Sequence, residues 1–295
     1  MDKNEISISV VMPVYNGERY IRRTLENVFS QTSLPTELVI VDDGSKDATV
    51  KIIKAYIREH QEYADIIKLY SQENKGAGAA RNKALYCSTS EWIAFFDSDD
   101  IWDNRKLEII RNEIKRNKDA VIITHDEYEA NEHSPEQKRY VARHKSYIPK
   151  EDLFLQLYKG NFFSTTCMVI QKEIIERAGG FDETLLSAQD YDLWIRCGKY
   201  AKKIVYLDKP LSVYVTRDDN ITKNTFRRYQ CEMRISRKYA VDVIEKLGKK
   251  RGRKIIRKRV FDIHKVEAYL SLKNKQFQSF FKIGIRLPVE LVREM

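Results

Sequence analysis

The sequence predicts an α/β protein whose first half is a mostly parallel sheet flanked by helices, followed by a basic helical extension. Three observations predict it. Short β-branched runs alternate with helical patterns through residues 1–125, polar and acidic residues gather just after those runs, and positive charge accumulates at the far end of the chain.

In chain order, strands are predicted at 6–12, 37–41, 66–70, 92–96 and 121–124, and helices at 18–30, 47–59, 78–86 and 104–116, with Asp47 and Asn104 standing as N-caps. Such an order is Rossmann-like, and ligands of these sheets bind beyond the carboxyl ends of the strands. Residues 125–149 carry many charges and few apolar side chains, which predicts loop and variable insertion. Order returns with an apolar run at 166–171, a helix at 172–178, the turn Gly179-Gly180 and a helix near 190–200. Beyond Tyr214 the chain reads as helical and basic. Three segments result: 1–125, 126–220 and 221–295.

A chain of 295 residues with 42% hydrophobic content supports one large domain with an appendage, or two small ones. No apolar run approaches the roughly 20 residues of a membrane-spanning helix, and the opening residues lack the layout of a secretory signal, so a cytoplasmic protein is expected. The four cysteines, Cys87, Cys167, Cys197 and Cys231, form no CxxC pair and read as buried reduced thiols. The net charge of +10 is uneven: from Arg227 onward there are 20 Lys and Arg against 7 Asp and Glu. A tail of that sign suits an anionic partner.

The chemistry-bearing residues follow the strands. The first strand runs into Pro13-Val14-Tyr15-Asn16-Gly17 and the second into Asp42-Asp43-Gly44-Ser45, at one edge of the sheet. A carboxylate there accepts the N–H of a pyrimidine or binds ribose hydroxyls, and a tyrosine stacks or hydrogen bonds, so this edge is expected to bind a nucleotide. An Asp-Gly-Ser turn alone is also ordinary turn chemistry. The fourth strand runs into Asp97-Ser98-Asp99-Asp100. Three carboxylates so close repel, and a divalent cation is the simplest compensator; a helix cap with solvated neighbours is the plainer alternative. Residues 74–82, NKGAGAARN, form a small-residue loop in which Lys75 or Arg81 meets phosphate or base. It is neither a Walker loop nor GxGxxG, which disfavours ordinary nucleoside triphosphatases and dinucleotide enzymes. In the second half, Gln189-Asp190-Tyr191-Asp192-Leu193-Trp194 sets acids at a helix start, where the dipole keeps Asp190 ionised as a general base requires, or where it serves only as a cap.

Together these segments resemble glycosyltransferase family 2 over roughly residues 6–214, through SVVMPVYNGERYI, LVIVDDGSKDAT, NKGAGAARNKAL, FFDSDD and GGFDETLLSAQDYDLWIR. The resemblance implies a GT-A fold, with 1–125 as the nucleotide-sugar-binding half, 126–220 as the acceptor-binding half and 221–295 as the basic extension. It implies an inverting, metal-dependent transferase that moves a hexosyl or N-acetylhexosaminyl group from a nucleotide diphosphate sugar, UDP by family habit, to an acceptor hydroxyl. Pro13, Tyr15 and Asp43 would hold the base, with Arg81 beside it and Asp97 on the ribose side; Val14 and Ser98 complete the donor set. Asp99 and Asp100 would hold Mn²⁺ or Mg²⁺ with the diphosphate. Asp190 matches the family's general base, in QD where ED is usual, with Asp192 and Trp194 nearby on the acceptor side.

Two departures matter. The QxxRW motif and membrane helices of processive members are missing, which implies single addition. Where many members carry a YRxH-like segment with a metal-ligating His, this chain reads Tyr214-Val215-Thr216-Arg217-Asp218-Asp219-Asn220, so Arg217 is expected at diphosphate or acceptor. The tail, with Lys249–Lys254 and Arg257–Arg259 interleaved by Ile255, Ile256, Val260 and Phe261, suits a helix on an anionic bilayer or, more plainly, a solvated basic face. A lipid-linked or lipopolysaccharide-type acceptor and attachment at the cytoplasmic face of the inner membrane are then expected. No signature of a nucleic-acid-binding domain supports a nucleic-acid partner. The alternatives are a scaffold that binds nucleotide sugar without catalysis, and a nucleotidyltransferase, which would need a basic glycine-rich loop after the first strand that Pro13–Gly17 does not supply.

Overall fold

A computed structural model of the chain describes residues 6–217 and 224–293. By packing the chain forms two units, one of Met1–Ile148, Phe162–Glu183 and Lys199–Arg217, the other of Pro149–Asn161, Thr184–Gly198 and Asp218–Met295.

The first unit contains the sheet. Strands β1 (Ile8–Val14), β2 (Glu37–Asp42), β3 (Ile67–Ser71) and β4 (Trp92–Phe95) pair in parallel in the order β3-β2-β1-β4. Helices α1 (Ile21–Phe29), α2 (Thr49–Glu59) and α3 (Ala77–Cys87) make the crossovers, and α4 (Lys106–Arg116) follows β5 (Ile101–Trp102). β1, β2 and β4 are buried almost throughout, as near-continuous apolar runs in a parallel sheet require. Their side chains join Ile21, Leu25 and Val28 of α1 and Leu107, Ile110 and Ile114 of α4 in one core.

The sheet continues through β8 (Val169–Gln171), antiparallel to β4, then β6 (Ile122–Asn131), β9 (Ile204–Thr216) and β5. β7 (Ser134–Val141) pairs antiparallel with the second half of β6, and α6 (Lys172–Arg177) follows β8. This corrects the expectation of loop at 125–149. His125, Asp126 and Glu127 are fully buried within β6, and their polarity concealed a strand. Partners farther along the chain satisfy two of them. Asp126 accepts from the Tyr140 hydroxyl (2.5 Å) and the His144 backbone N–H (2.8 Å), and Glu127 accepts from Arg143 Nε (2.6 Å). β9 was likewise unpredicted, because Asp208, Lys209 and Pro210 break its apolar pattern where its pairing with β6 shifts register.

The second unit contains α5 (Leu153–Lys159), α7 (Gln189–Gly198), α8 (Thr225–Lys238), α9 (Ala240–Leu247), α10 (Lys249–Lys273) and α11 (Phe277–Arg293), so the tail is helical as expected. Cys167, Cys197 and Cys231 are buried and Cys87 is half-buried, all four as free thiols. Among the described residues no helix is long and apolar enough to cross a membrane.

Candidate active site

The carboxyl ends of β1, β2 and β4 open at one edge of the first unit's sheet, and backbone pairing sets their relative heights. Val14 lies opposite Asp42, and the Asp43 N–H donates to Val14 O at 2.8 Å. The loops after β1 and β2 are tied together: Asn16 N–H donates to Ser45 Oγ (2.9 Å), Lys46 N–H to Asn16 Oδ1 (2.9 Å) and Gly17 N–H to Thr49 Oγ1 (2.7 Å). Asn16 itself has φ 49°, a left-handed conformation that asparagine tolerates. At Gly44, φ is +77° and a Cβ would sit 3.0 Å from Asn74 N, so the turn after Asp43 requires glycine.

Asp43 is 3% exposed and organises the small-residue loop. Its Oδ1 accepts from Gln72 Nε2 and the Lys75 N–H, both at 2.9 Å, and its Oδ2 from the Gly76 N–H at 2.8 Å. The loop leads into α3, which brings Arg81 to Asp97 at 2.5 Å and over the Phe181 ring at 5.5 Å. Tyr15 is exposed, whereas Val14 and Ser98 are buried.

The acidic segment after β4 is fixed from α1: Thr24 Oγ1 donates to Ser98 O (2.5 Å) and Arg23 Nη2 to Asp99 O (3.1 Å). Each acid has a different environment. Asp97 pairs with Arg81. Asp99 pairs with Arg217 Nη2 at 2.8 Å, and that guanidinium also lies 4.6 Å from the Tyr20 ring centre. Asp100 is 1% exposed; its Oδ1 accepts the Val215 N–H at 3.0 Å, while its Oδ2 is buried and has no hydrogen-bond partner among the described residues. Burial and then Asp97 push the Asp99 carboxyl upward, against the pull of Arg217; burial and then Asp99 push Asp100 well above the usual carboxylate range. The sequence placed Arg217 near this chemistry without indicating its ion pair with Asp99, and it missed Tyr20, Arg23 and Thr24 altogether. Asp218 to Asn220 lie outside the described residues.

Among the described residues no three carboxylate, imidazole or thiol groups form a metal-binding cluster. A divalent ion of the Mg²⁺ kind is typically held by one or two carboxylates together with substrate phosphates, not by an all-protein cage. Asp99 and Asp100 fit that arrangement in donor type, and the unpartnered Asp100 Oδ2 is a buried oxygen of the kind a cation satisfies.

In the second unit Asp190 lies half-buried in the first turn of α7, two residues after Ala188, whose φ of 56° is unusual for a residue with a Cβ. Asp192 is fully buried: its Oδ2 accepts from Arg196 Nε (3.0 Å) and Nη2 (2.7 Å), and its Oδ1 from Lys238 Nζ (2.9 Å) and the Tyr239 hydroxyl (2.8 Å). Trp194 is 1% exposed in the core. In this conformation neither Asp192 nor Trp194 presents a surface to an acceptor, in contrast to the expectation for them; their visible role is packing α7.

Residues 9–179, more than half of the chain, match the model of the family described as glycosyl transferase family 2. An uncharacterized glycosyltransferase of Haemophilus influenzae is 31% identical over 209 residues, 70% of this chain and 78% of that protein. One of Rickettsia typhi is 28% identical over 220 residues, 74% of this chain, and the match spans 66% of that longer relative. Among solved structures, Staphylococcus aureus TarS 1–349 in complex with UDP-GlcNAc superposes with a TM-score of 0.67 at 21% identity, over 94% of this chain and 79% of that one. The Pyrobaculum calidifontis mannosyltransferase PcManGT, in complex with GDP-Man and Mn²⁺, gives 0.61 at 17%, over 98% and 88%. At these identities the likeness shows the fold, which is GT-A.

Proposed function

Because the chain belongs to glycosyltransferase family 2, we propose that it transfers a single hexosyl or N-acetylhexosaminyl group, with inversion, from a nucleotide diphosphate sugar to a hydroxyl of a lipid-linked oligosaccharide, capsule or lipopolysaccharide precursor. The observation that carries the donor half is the acidic segment after β4, with Arg81 on Asp97, Arg217 on Asp99 and Asp100 buried beneath them. TarS bound to UDP-GlcNAc and PcManGT bound to GDP-Man favour a nucleotide-sugar donor without choosing the base.

In this reading Tyr15, Pro13, Val14 and the loop ordered by Asp43 receive the base, and Asp97 with Ser98 the ribose. Asp99 and Asp100 would hold Mn²⁺ or Mg²⁺, which neutralises the diphosphate and so improves it as a leaving group. Arg217 adds a second positive group for the same oxygens. Asp190 takes the proton from the acceptor hydroxyl, which attacks the anomeric carbon opposite the departing diphosphate; one displacement inverts that centre, so an α-linked donor gives a β-linkage. The excess of Lys and Arg from Arg227 onward supports a position at an anionic membrane, the setting of a lipid-linked acceptor.

Calorimetric titration of UDP and GDP, with and without Mn²⁺, tests the donor half. Binding of one nucleotide that Mn²⁺ strengthens, and that Asp99→Ala makes indifferent to Mn²⁺, is expected. No binding of either, or tight binding that Asp99→Ala leaves intact and metal-sensitive, overturns the assignment.

A further inference from the structure

Of the four apolar residues interleaved with the tail's basic runs, Phe261 is exposed and Ile255 half-buried, while the other two belong to the core. Ile256 and Val260 are 2% and 0% exposed; Val260 packs with Tyr229, Met233, Ile263 and Ile283 inside the second unit. They are therefore unavailable to a bilayer. Among the described residues of α11, the exposed large apolar side chains are Phe277, Phe281 and Ile285, at 59%, 62% and 76%. They recur every four residues, which makes a single stripe. Among the described residues of α11 Ile283 is the one in the unit's core, and it is two positions from both Phe281 and Ile285. Two residues turn a helix by about 200°, so the stripe points away from the interior.

The surroundings of this stripe are cationic. Between Lys249 and Arg286 the chain has thirteen Lys and Arg against two acids, Asp262 and Glu267. Glu267 is buried and consumed by Arg228 at 2.7 Å, so it offsets none of the surface charge. Lys273, Lys275, Lys282 and Arg286 are exposed beside the stripe, and Lys282 and Arg286 each approach the Phe226 ring centre to 5.4 Å on its flank. A second copy of this chain would bring like charges together along the same face. Nucleic acid would satisfy the charge and leave three large apolar side chains in water. A bilayer with anionic headgroups satisfies both, since its surface attracts lysine and arginine while its acyl boundary accepts an apolar helix face.

We propose that the Phe277–Phe281–Ile285 stripe of α11, with Lys273, Lys275 and Lys282 around it, is the face by which the protein lies on an anionic membrane. This gives an address to the membrane part of the proposed function and rests on that reading. It is measured without donor or acceptor, so failure of the transfer reaction and failure of the docking face are read separately.

The test is flotation of the full chain with vesicles of phosphatidylcholine alone and of phosphatidylcholine with phosphatidylglycerol. Association with the anionic vesicles only, reversed by salt, is expected. Phe281→Ser should weaken it by on the order of tenfold, as should Ile285→Ser, with thermal unfolding unchanged because both side chains are exposed. In Phe281→Trp, emission should shift to the blue on addition of the anionic vesicles. No association of the wild type, equal association of the serine variants, or a concentration-dependent dimer abolished by Phe281→Ser would each overturn the proposal, the last in favour of a second copy.

Discussion

Asp190 and Asp192 stand two residues apart in α7, and the structure predicts opposite consequences for their removal. Asp192 is wholly buried and receives four hydrogen bonds, two from Arg196, one from Lys238 and one from Tyr239. Its carboxylate thereby joins α7 to the C-terminal end of α8 and the residue after it. Asp192→Ala leaves the Arg196 guanidinium, at 15% side-chain exposure, the Lys238 ammonium, at 37%, and a buried phenol without their common partner. Breaking a buried ion pair from one side costs about 3–5 kcal/mol. Water reaches Lys238 and compensates part of its loss, which places the expected cost near the lower limit, about 3 kcal/mol. Asp190 is half-buried in the first turn of α7, where a carboxylate's interaction with the helix dipole is worth about 0.3–1 kcal/mol. Urea unfolding followed by far-UV circular dichroism, together with sugar-transfer assays, separates the two. Asp192→Ala should unfold at clearly lower urea. Asp190→Ala should unfold near the wild type while transfer falls on the order of 10²- to 10⁴-fold. An Asp192→Ala protein as stable as the wild type, or an Asp190→Ala protein destabilised as much as Asp192→Ala, would refute the division.

Further predictions concern the first unit. Lys106 is fully buried, with Nζ donating to Thr166 O at 2.5 Å and lying 3.8 Å from the Trp102 ring centre, and burial lowers its pKa from 10.5 to about 7. Between those values the unfolded chain holds a proton that the folded chain has released, so this contribution to stability grows as pH rises from about 7 toward 10.5 and is lost as pH falls through 7. Unfolding measured at pH 6.5, 8 and 9.5 should show wild type gaining on Lys106→Met by at most about 1.4 kcal/mol per pH unit; parallel pH profiles would contradict the buried titration. Asp43→Asn puts an amide where two backbone N–H groups now donate, so nucleotide affinity should fall on the order of tenfold with loss of loop order. Unchanged affinity by calorimetry, with unchanged amide exchange at Lys75 and Gly76, would show that this carboxylate does not organise the loop.

The β-α alternation before Thr124 was legible because each buried parallel strand is a short apolar run and α1 and α2 each have a periodic apolar face, whereas α3 is marked by its small residues. β6 was not. Its central His125-Asp126-Glu127 reads as surface, and only the tertiary partners Tyr140, Arg143 and His144 make its burial tolerable. The candidate donor site was legible as a set of strand-terminal residues but not as pairs. Arg81 with Asp97 and Arg217 with Asp99 come from distant points in the chain, and local sequence carries no signal for which cation meets which acid. Asp192 shows the same limit in reverse: its position beside Asp190 suggested chemistry, while Lys238 and Tyr239, which use its charge, lie on and just after α8.

The central claim, sugar transfer from a nucleotide diphosphate donor, is tested most directly by incubating the protein with a panel of UDP-, GDP- and dTDP-sugars and lipid-linked acceptors, with Mn²⁺ or with chelator. Nucleoside diphosphate release and the anomeric configuration of the product are followed. The account predicts metal-dependent release of nucleoside diphosphate from one donor, an inverted product, and loss of both in Asp99→Ala and Asp190→Ala. Release of pyrophosphate, a product of retained configuration, or turnover that persists in Asp99→Ala would contradict it.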